Sequence, residues 1–167
     1  MKDRVILADG DVHRKINRIA YQIYEASLSE SEVYIVGIQN SGYKLAEMIA
    51  EKLSSISPLD VHLCSLSMDK ECLTATVSLS MPLEELRDKC VVLVDSVLNS
   101  GGVLIYAVRY LLSENLKRLN TAVLVDRNHK RYPIKVDYKG LSLSTSLHER
   151  VKIQWREDGT ISVEYVI

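Results

Sequence analysis

Asp95, Ser100, Gly101 and Gly102 are the residues whose types and spacing could hold a phosphorylated ligand. Asp95 closes the apolar run Val91-Val92-Leu93-Val94, which reads as a strand buried on both faces. Ser100, Gly101 and Gly102 interrupt the chain, and then Val103, Leu104, Ala107, Val108, Leu111 and Leu112 recur at helical spacing. A strand, a turn of small residues and a helix bring free backbone N–H groups together above one end of a sheet. That arrangement suits a phosphate. Taken alone, it is equally an ordinary strand-to-helix turn of a parallel sheet.

The elements around this stretch follow from the hydrophobic pattern. Asp9 or Asp11 can cap a first helix running to about Ser27, with Val12, Ile16, Ile19, Ala20 and Ile23 as its apolar stripe. Arg14, Lys15 and Arg18 lie on its other face, as a solvated surface or an RNA contact. Residues 33–38 (VYIVGI) and 121–126 (TAVLVD) are two more continuous apolar strands, and Leu45, Ala46, Ile49 and Leu53 mark a helix after the first of them. Three such strands separated by helices argue for a parallel sheet with right-handed crossovers, whose ligands sit beyond the carboxyl ends of the strands. Those ends are residues 37–42, 95–102 and 126–131, all rich in polar or small residues.

Elsewhere the period is two. Residues 61–80 read as a hairpin pairing Cys64 with Val77, Leu66 with Ala75 and Met68 with Leu73 around a loop at 69–72. Pro82 ends it, and residues 83–88 form a short helical connector. Ile134, Val136 and Tyr138 alternate, followed by Leu141 and Leu143. A terminal hairpin sets Trp155 against Ile161 and Ile153 against Val163, which puts Gly159 in the left-handed position of a three-residue loop.

Composition narrows the classes. A formal net charge of −1 gives no global basic field for nucleic acid or anionic membrane, although Lys130, Arg131, Lys135 and Lys139 cluster locally. They read as a solvated surface or an RNA-binding dimer face. No apolar run approaches a membrane span and the N-terminus has no signal-peptide core, so a cytoplasmic protein with no membrane partner is expected. Cys64, Cys72 and Cys90 have no CxxC spacing and read as reduced thiols, and His13, His62, His129 and His148 have no metal-ligand spacing. The 167 residues are expected to form a single domain, residues 1–167.

VVLVDSVLNSGG resembles the PRPP-binding signature of type I phosphoribosyltransferases. ILADGDVHRKINRIAYQI, VGIQNSGYKLAEMIAEKL, LVDRNHKRYPIKVDYKG and STSLHERVKI extend the likeness to the bifunctional pyrimidine-operon attenuator and uracil phosphoribosyltransferase family, in order along nearly the whole chain. The resemblance implies an α/β fold: a parallel sheet flanked by helices, an antiparallel hairpin flap and a small C-terminal β hood. It implies binding of PRPP and a nucleobase or nucleotide, Mg²⁺ carried with PRPP, a homodimer, and RNA as a further partner.

It also implies roles for residues. Asp95 would hold ribose hydroxyls, with Ser96 where the family has a second acid, and Asn99, Ser100, Gly101, Gly102 and Val103 would form the 5-phosphate loop. Gly102 and Val103 stand where the family has Arg and Thr. Gln39, Asn40, Ser41 and Gly42 would form the pyrophosphate loop, without the Arg of the family's Thr-Arg-Gly. Lys70 marks the flap; Asp126 and Arg127 would flank the base pocket, Tyr138 would stack on the base and Lys139 would read its edge. Tyr138 is equally a core residue of an alternating strand.

Transfer from PRPP develops ribosyl cation and leaving-group charge, so it needs Mg²⁺, cations and N–H donors on the diphosphate. Charged hydrogen bonds contribute about 1.5–3 kcal/mol each, and losing two or three that strengthen in the transition state costs roughly 10²–10⁵ in rate. Three readings follow: a Mg²⁺-dependent transferase acting on a nucleobase, a pyrimidine by resemblance; a sensor of PRPP or a nucleotide with reduced or lost turnover; or a structural protein on the same scaffold. Ser96, Gly102 and the Asn40-Ser41 pair favour binding over fast turnover.

Overall fold

The computed structural model describes residues 4–144 and 150–166. A six-stranded sheet in the order β4-β3-β2-β5-β6-β7 forms its centre. The elements are β2 (Glu32–Ile38), β3 (Asp60–Ser67), β4 (Ser78–Leu79), β5 (Cys90–Leu98), β6 (Arg118–Asp126) and β7 (Tyr138–Ser142). All neighbours run parallel except β3 and β4. Helices α1 (Asp9–Glu25), α2 (Ser41–Ile56) and α3 (Gly102–Leu111) flank the sheet, and a smaller sheet, β1 (Arg4–Leu7)-β9 (Ile161–Val166)-β8 (Arg150–Trp155), forms a hood.

β5 shows why a continuous apolar run is needed at the centre. Val92 and Val94 pack into the core shared with α1, α2 and the hood, while Val91 and Leu93 pack into the core shared with α3. Successive side chains of a strand point to opposite faces, so a strand covered on both sides must be apolar at every position. α1 buries Val12, Ile16, Ile19, Ala20 and Ile23, the stripe its spacing predicts. The terminal hairpin has Trp155 opposite Ile161 and Ile153 opposite Val163, and Gly159 takes φ +84°.

Three expectations are corrected, and one strand was not foreseen. The first helix is capped at Ala8 with no side-chain cap; Asp9 Oδ1 instead accepts from the Ile161 amide at 2.9 Å, tying helix to hood. The flap is not the tight hairpin that alternation suggests. β3 adds to β2 in parallel, and only Leu66↔Leu79 and Ser67↔Ser78 pair antiparallel, leaving residues 68–77 as a long loop. The wet-face pattern of Thr74 and Thr76 reflects solvent exposure of that loop rather than a ladder. Residues 134–137 are not a strand, and β7 begins only at Tyr138. β1 was hidden in a short N-terminal run that carried no period of its own.

Candidate functional site

The carboxyl end of β5, the starts of α2 and α3, the flap and the hood line a cleft of about 300 Å³. Asp95, Ser96, Asn99, Ser100, Gly101 and Val103 line it from the central stretch, Ser41 from the start of α2, Lys70 from the flap, and Val151, Lys152 and Ile153 from β8.

The loop before α3 keeps its donors open. Gly101 takes φ +86°, a left-handed conformation that side-chain-bearing residues adopt only with strain, and this turns the chain from β5 into α3. The Ser100 carbonyl accepts from the amides of Arg131 and Tyr132 at 2.8 and 3.2 Å, so the following loop holds the turn from below. Among the described residues, the Gly102 amide makes one long contact, 3.3 Å to Ser100 Oγ, and no side chain caps the helix. The amides of Ser100, Gly101, Val103 and Leu104 have no protein acceptor among the described residues. Donors at a helix start that the protein leaves unmatched are what an anion requires.

Asp95 is buried beside them, 7% exposed, with Oδ1 accepting from the Ser96 amide at 2.7 Å. Burial pushes its carboxyl above the ordinary carboxylate range, while the Lys70 ammonium and the Ser96 amide pull it partly back. The flap thus brings a cation to the carboxylate's side. Gly42 passes against the same residue: a Cβ there would lie 3.0 Å from Asp95 Oδ1 and 3.1 Å from Val94 O. At Gly102 a Cβ would meet Leu73 Cδ1 of the flap at 2.8 Å and Tyr132 Cε2 at 3.1 Å, so the space of a side chain is taken by the flap.

The expected pyrophosphate loop is brought to the cleft through Ser41. Asn40 precedes it at φ 27°, ψ −86°, outside the populated regions for a residue with a side chain. Gln39 continues β2 by donating its amide to the Leu66 carbonyl at 2.9 Å. Asp126 and Arg127 sit at the end of β6, one on each side of a split network. Asp126 is fully buried and takes Lys139 Nζ at 3.3 Å and Lys130 Nζ at 3.5 Å, whereas Arg127 donates to Asn99 Oδ1 at 2.9 Å.

Tyr138 is not brought to the cleft. It pairs with Ala122 in the middle of β6, below the Asp126↔Ser142 level, and packs into the core under α1. Burial raises its phenol pKa. Alternation along β7 sends Tyr138 inward, which is the core reading that its pattern left open. Residues 145–149, which include His148 and much of the STSLHERVKI likeness, lie outside the described residues.

The cations expected as an RNA surface are mostly engaged. Arg14 pairs with Asp11, Arg18 donates to the carbonyls of Lys139 and Gly140, both at 2.8 Å, and Lys135 lies 3.5 Å from Asp137. Lys152 escaped sequence reasoning because nothing in the alternation of β8 says that this strand overhangs the cleft. The thiols are free: Cys64 and Cys90 are buried and Cys72 is exposed on the flap.

The model of the phosphoribosyl transferase domain matches residues 6–156. The chain belongs to the phosphoribosyl transferase family. Within it, the chain is 33% identical to the bifunctional protein PyrR of Streptococcus thermophilus, over 99% of this chain and 98% of the relative. The PyrR of Deinococcus radiodurans is likewise 33% identical, over 95% of this chain and 92% of the relative. The fold is that of the hypoxanthine phosphoribosyltransferase of Trypanosoma cruzi, with a TM-score of 0.79 at 13% identity over 96% of this chain and 95% of that one. A hypoxanthine-guanine phosphoribosyltransferase of Bacillus anthracis gives 0.75 at 16% identity over 99% and 100% of the two chains.

Proposed function

We propose that the cleft binds PRPP or the 5-phosphate of a pyrimidine nucleotide, and that phosphoribosyl transfer to the base is slow or lost. The unmatched amides at the start of α3, with Asp95 beside them, carry this reading. The 5-phosphate takes those amides, and Asp95 accepts from the ribose hydroxyls. Lys70 and Lys152 line the cleft and supply positive charge where the loops themselves have lost it. A Mg²⁺ would arrive with the diphosphate, and Asp95 is the carboxylate that lines the cleft. When bound, Mg²⁺ would neutralise charge on the departing diphosphate. In an active protein the base nitrogen bonds to C1 of the ribose as the C1–O bond breaks, diphosphate leaves with the electron pair, and the proton of that nitrogen passes to water.

Reduced turnover is favoured by Ser96, which offers a hydroxyl in place of a second carboxylate, and by Gly102, whose side-chain space Leu73 fills. A protein that retains the cradle and lacks the diphosphate clamp acts as a sensor of nucleotide or PRPP levels. The resemblance to pyrimidine-operon attenuators makes RNA the matching output, and a homodimer the matching assembly.

Thermal unfolding with PRPP-Mg²⁺, UMP, GMP and sulfate tests the site. A ligand at a hundredfold its Kd stabilises by about 2.7 kcal/mol. Stabilisation by PRPP or UMP that grows with concentration is expected; no shift with any of them at millimolar levels overturns the reading. Uridylate formation from PRPP and uracil separates transferase from sensor. Ser96→Asp with Gly102→Arg is expected to raise it by roughly 10-fold or more, with the end of the Leu73 side chain displaced from the space it fills at Gly102.

A further inference from the structure

Trp155, the only tryptophan in the chain, donates its indole Nε1–H to Ser41 Oγ at 2.8 Å. Ser41 lines the cleft, and Trp155 stands behind it in a neighbouring groove with Lys44 and Met48. Lys44 Nζ lies 5.7 Å from the indole centroid, close enough for the ammonium to hold the ring. The same strand contributes Val151, Lys152 and Ile153 to the cleft wall. One strand of the hood therefore forms a wall of the site and fixes a side chain across it.

We infer that Trp155 is a positioning residue, which orients the Ser41 hydroxyl toward the diphosphate of a bound ligand. This deepens the proposed reading and rests on it. A serine hydroxyl has one proton to donate and two lone pairs to accept with. The indole fills one lone pair, so the proton remains free for an acceptor in the cleft. An accepting hydroxyl is also polarised into a better donor. Ser41 opens α2, where the helix dipole adds to the attraction for an anion, and it stands where the resemblance places an arginine in relatives. A neutral hydroxyl held by an indole is a weaker clamp than a guanidinium, and it selects for the diphosphate without supporting rapid departure.

The probes are pyrophosphate with Mg²⁺, PRPP with Mg²⁺, and UMP, measured on the full chain. Pyrophosphate is expected to change the emission of Trp155, and UMP to leave it unchanged. Trp155→Phe should weaken pyrophosphate and PRPP by roughly 3- to 10-fold, the worth of one neutral hydrogen bond, with UMP affinity preserved. Ser41→Ala should weaken the same two ligands and abolish the emission response, and the double variant should lose little more than either single one. If Trp155→Phe fails to fold, Ser41→Ala alone decides. Equal loss for UMP and pyrophosphate, no loss for either, or an emission response that survives Ser41→Ala overturns the inference. A protein that binds UMP but not pyrophosphate overturns it while leaving the 5-phosphate reading in place; one that binds neither sinks both.

Discussion

Asp95 is held in a position that is unfavourable for its own charge. Its surroundings resist ionisation through burial, and the Lys70 ammonium offsets only part of that. Its folded pKa thus lies above the unfolded value of about 3.9, so stability present below that pH is lost as pH rises through the folded value. Asp95→Asn keeps an oxygen for the Ser96 amide and removes the charge. The variant without ligand should melt above the wild type at pH 7, the gap closing as pH falls toward about 4, while affinity for ribose-bearing ligands drops. Melting curves across that range check the sign; a lower melting temperature at pH 7 would contradict the account. At this scale the sequence was informative where one residue type has one physical use: an acid ending an apolar strand and glycines opening a helix. Tyr138 was not legible, because an aromatic ring on an alternating strand is equally suited to a core and to a base.

Among the elements, the contact of α2 with β5 decides the shape of the cleft. Gly42 lets the start of α2 approach so closely that a methyl group there would meet Asp95 and the Val94 carbonyl at 3.0–3.1 Å. Backbone and a buried carboxylate cannot swing away as a flexible side-chain end would. Gly42→Ala should destabilise the fold by about 1–3 kcal/mol, seen as a lower urea midpoint at unchanged m-value, and it should displace Ser41 from Trp155. The parallel strands were readable because each is apolar at every position, a demand set by two covering layers. The flap was not: its alternation of Thr and Ser with apolar residues satisfies a half-buried loop as well as a ladder. Register is fixed by partners that lie far along the chain: β3 pairs with β2 along nearly its whole length on one edge, and with only two flap residues on the other. The terminal hairpin was legible since its partners are near neighbours and Gly159 permits the turn.

Across the molecule, the flap and the hood meet over the carboxyl end of the sheet, where Asp95, Lys70 and Lys152 face one cleft. Among the described residues no helix is long and apolar enough to cross a membrane. β7 is the last strand of the large sheet, and strands in that position expose main-chain groups that can recruit another chain. Arg18 covers this rim with its guanidinium on the carbonyls of Lys139 and Gly140. A residue that would otherwise be taken for surface charge occupies main-chain acceptors of the last strand, and its removal is expected to favour self-association into extended sheets. Arg18→Met should leave ligand affinity intact but make the protein turbid on gentle heating, with thioflavin-positive material; clear solutions matching the wild type would show that α1 shields the rim without help from this side chain.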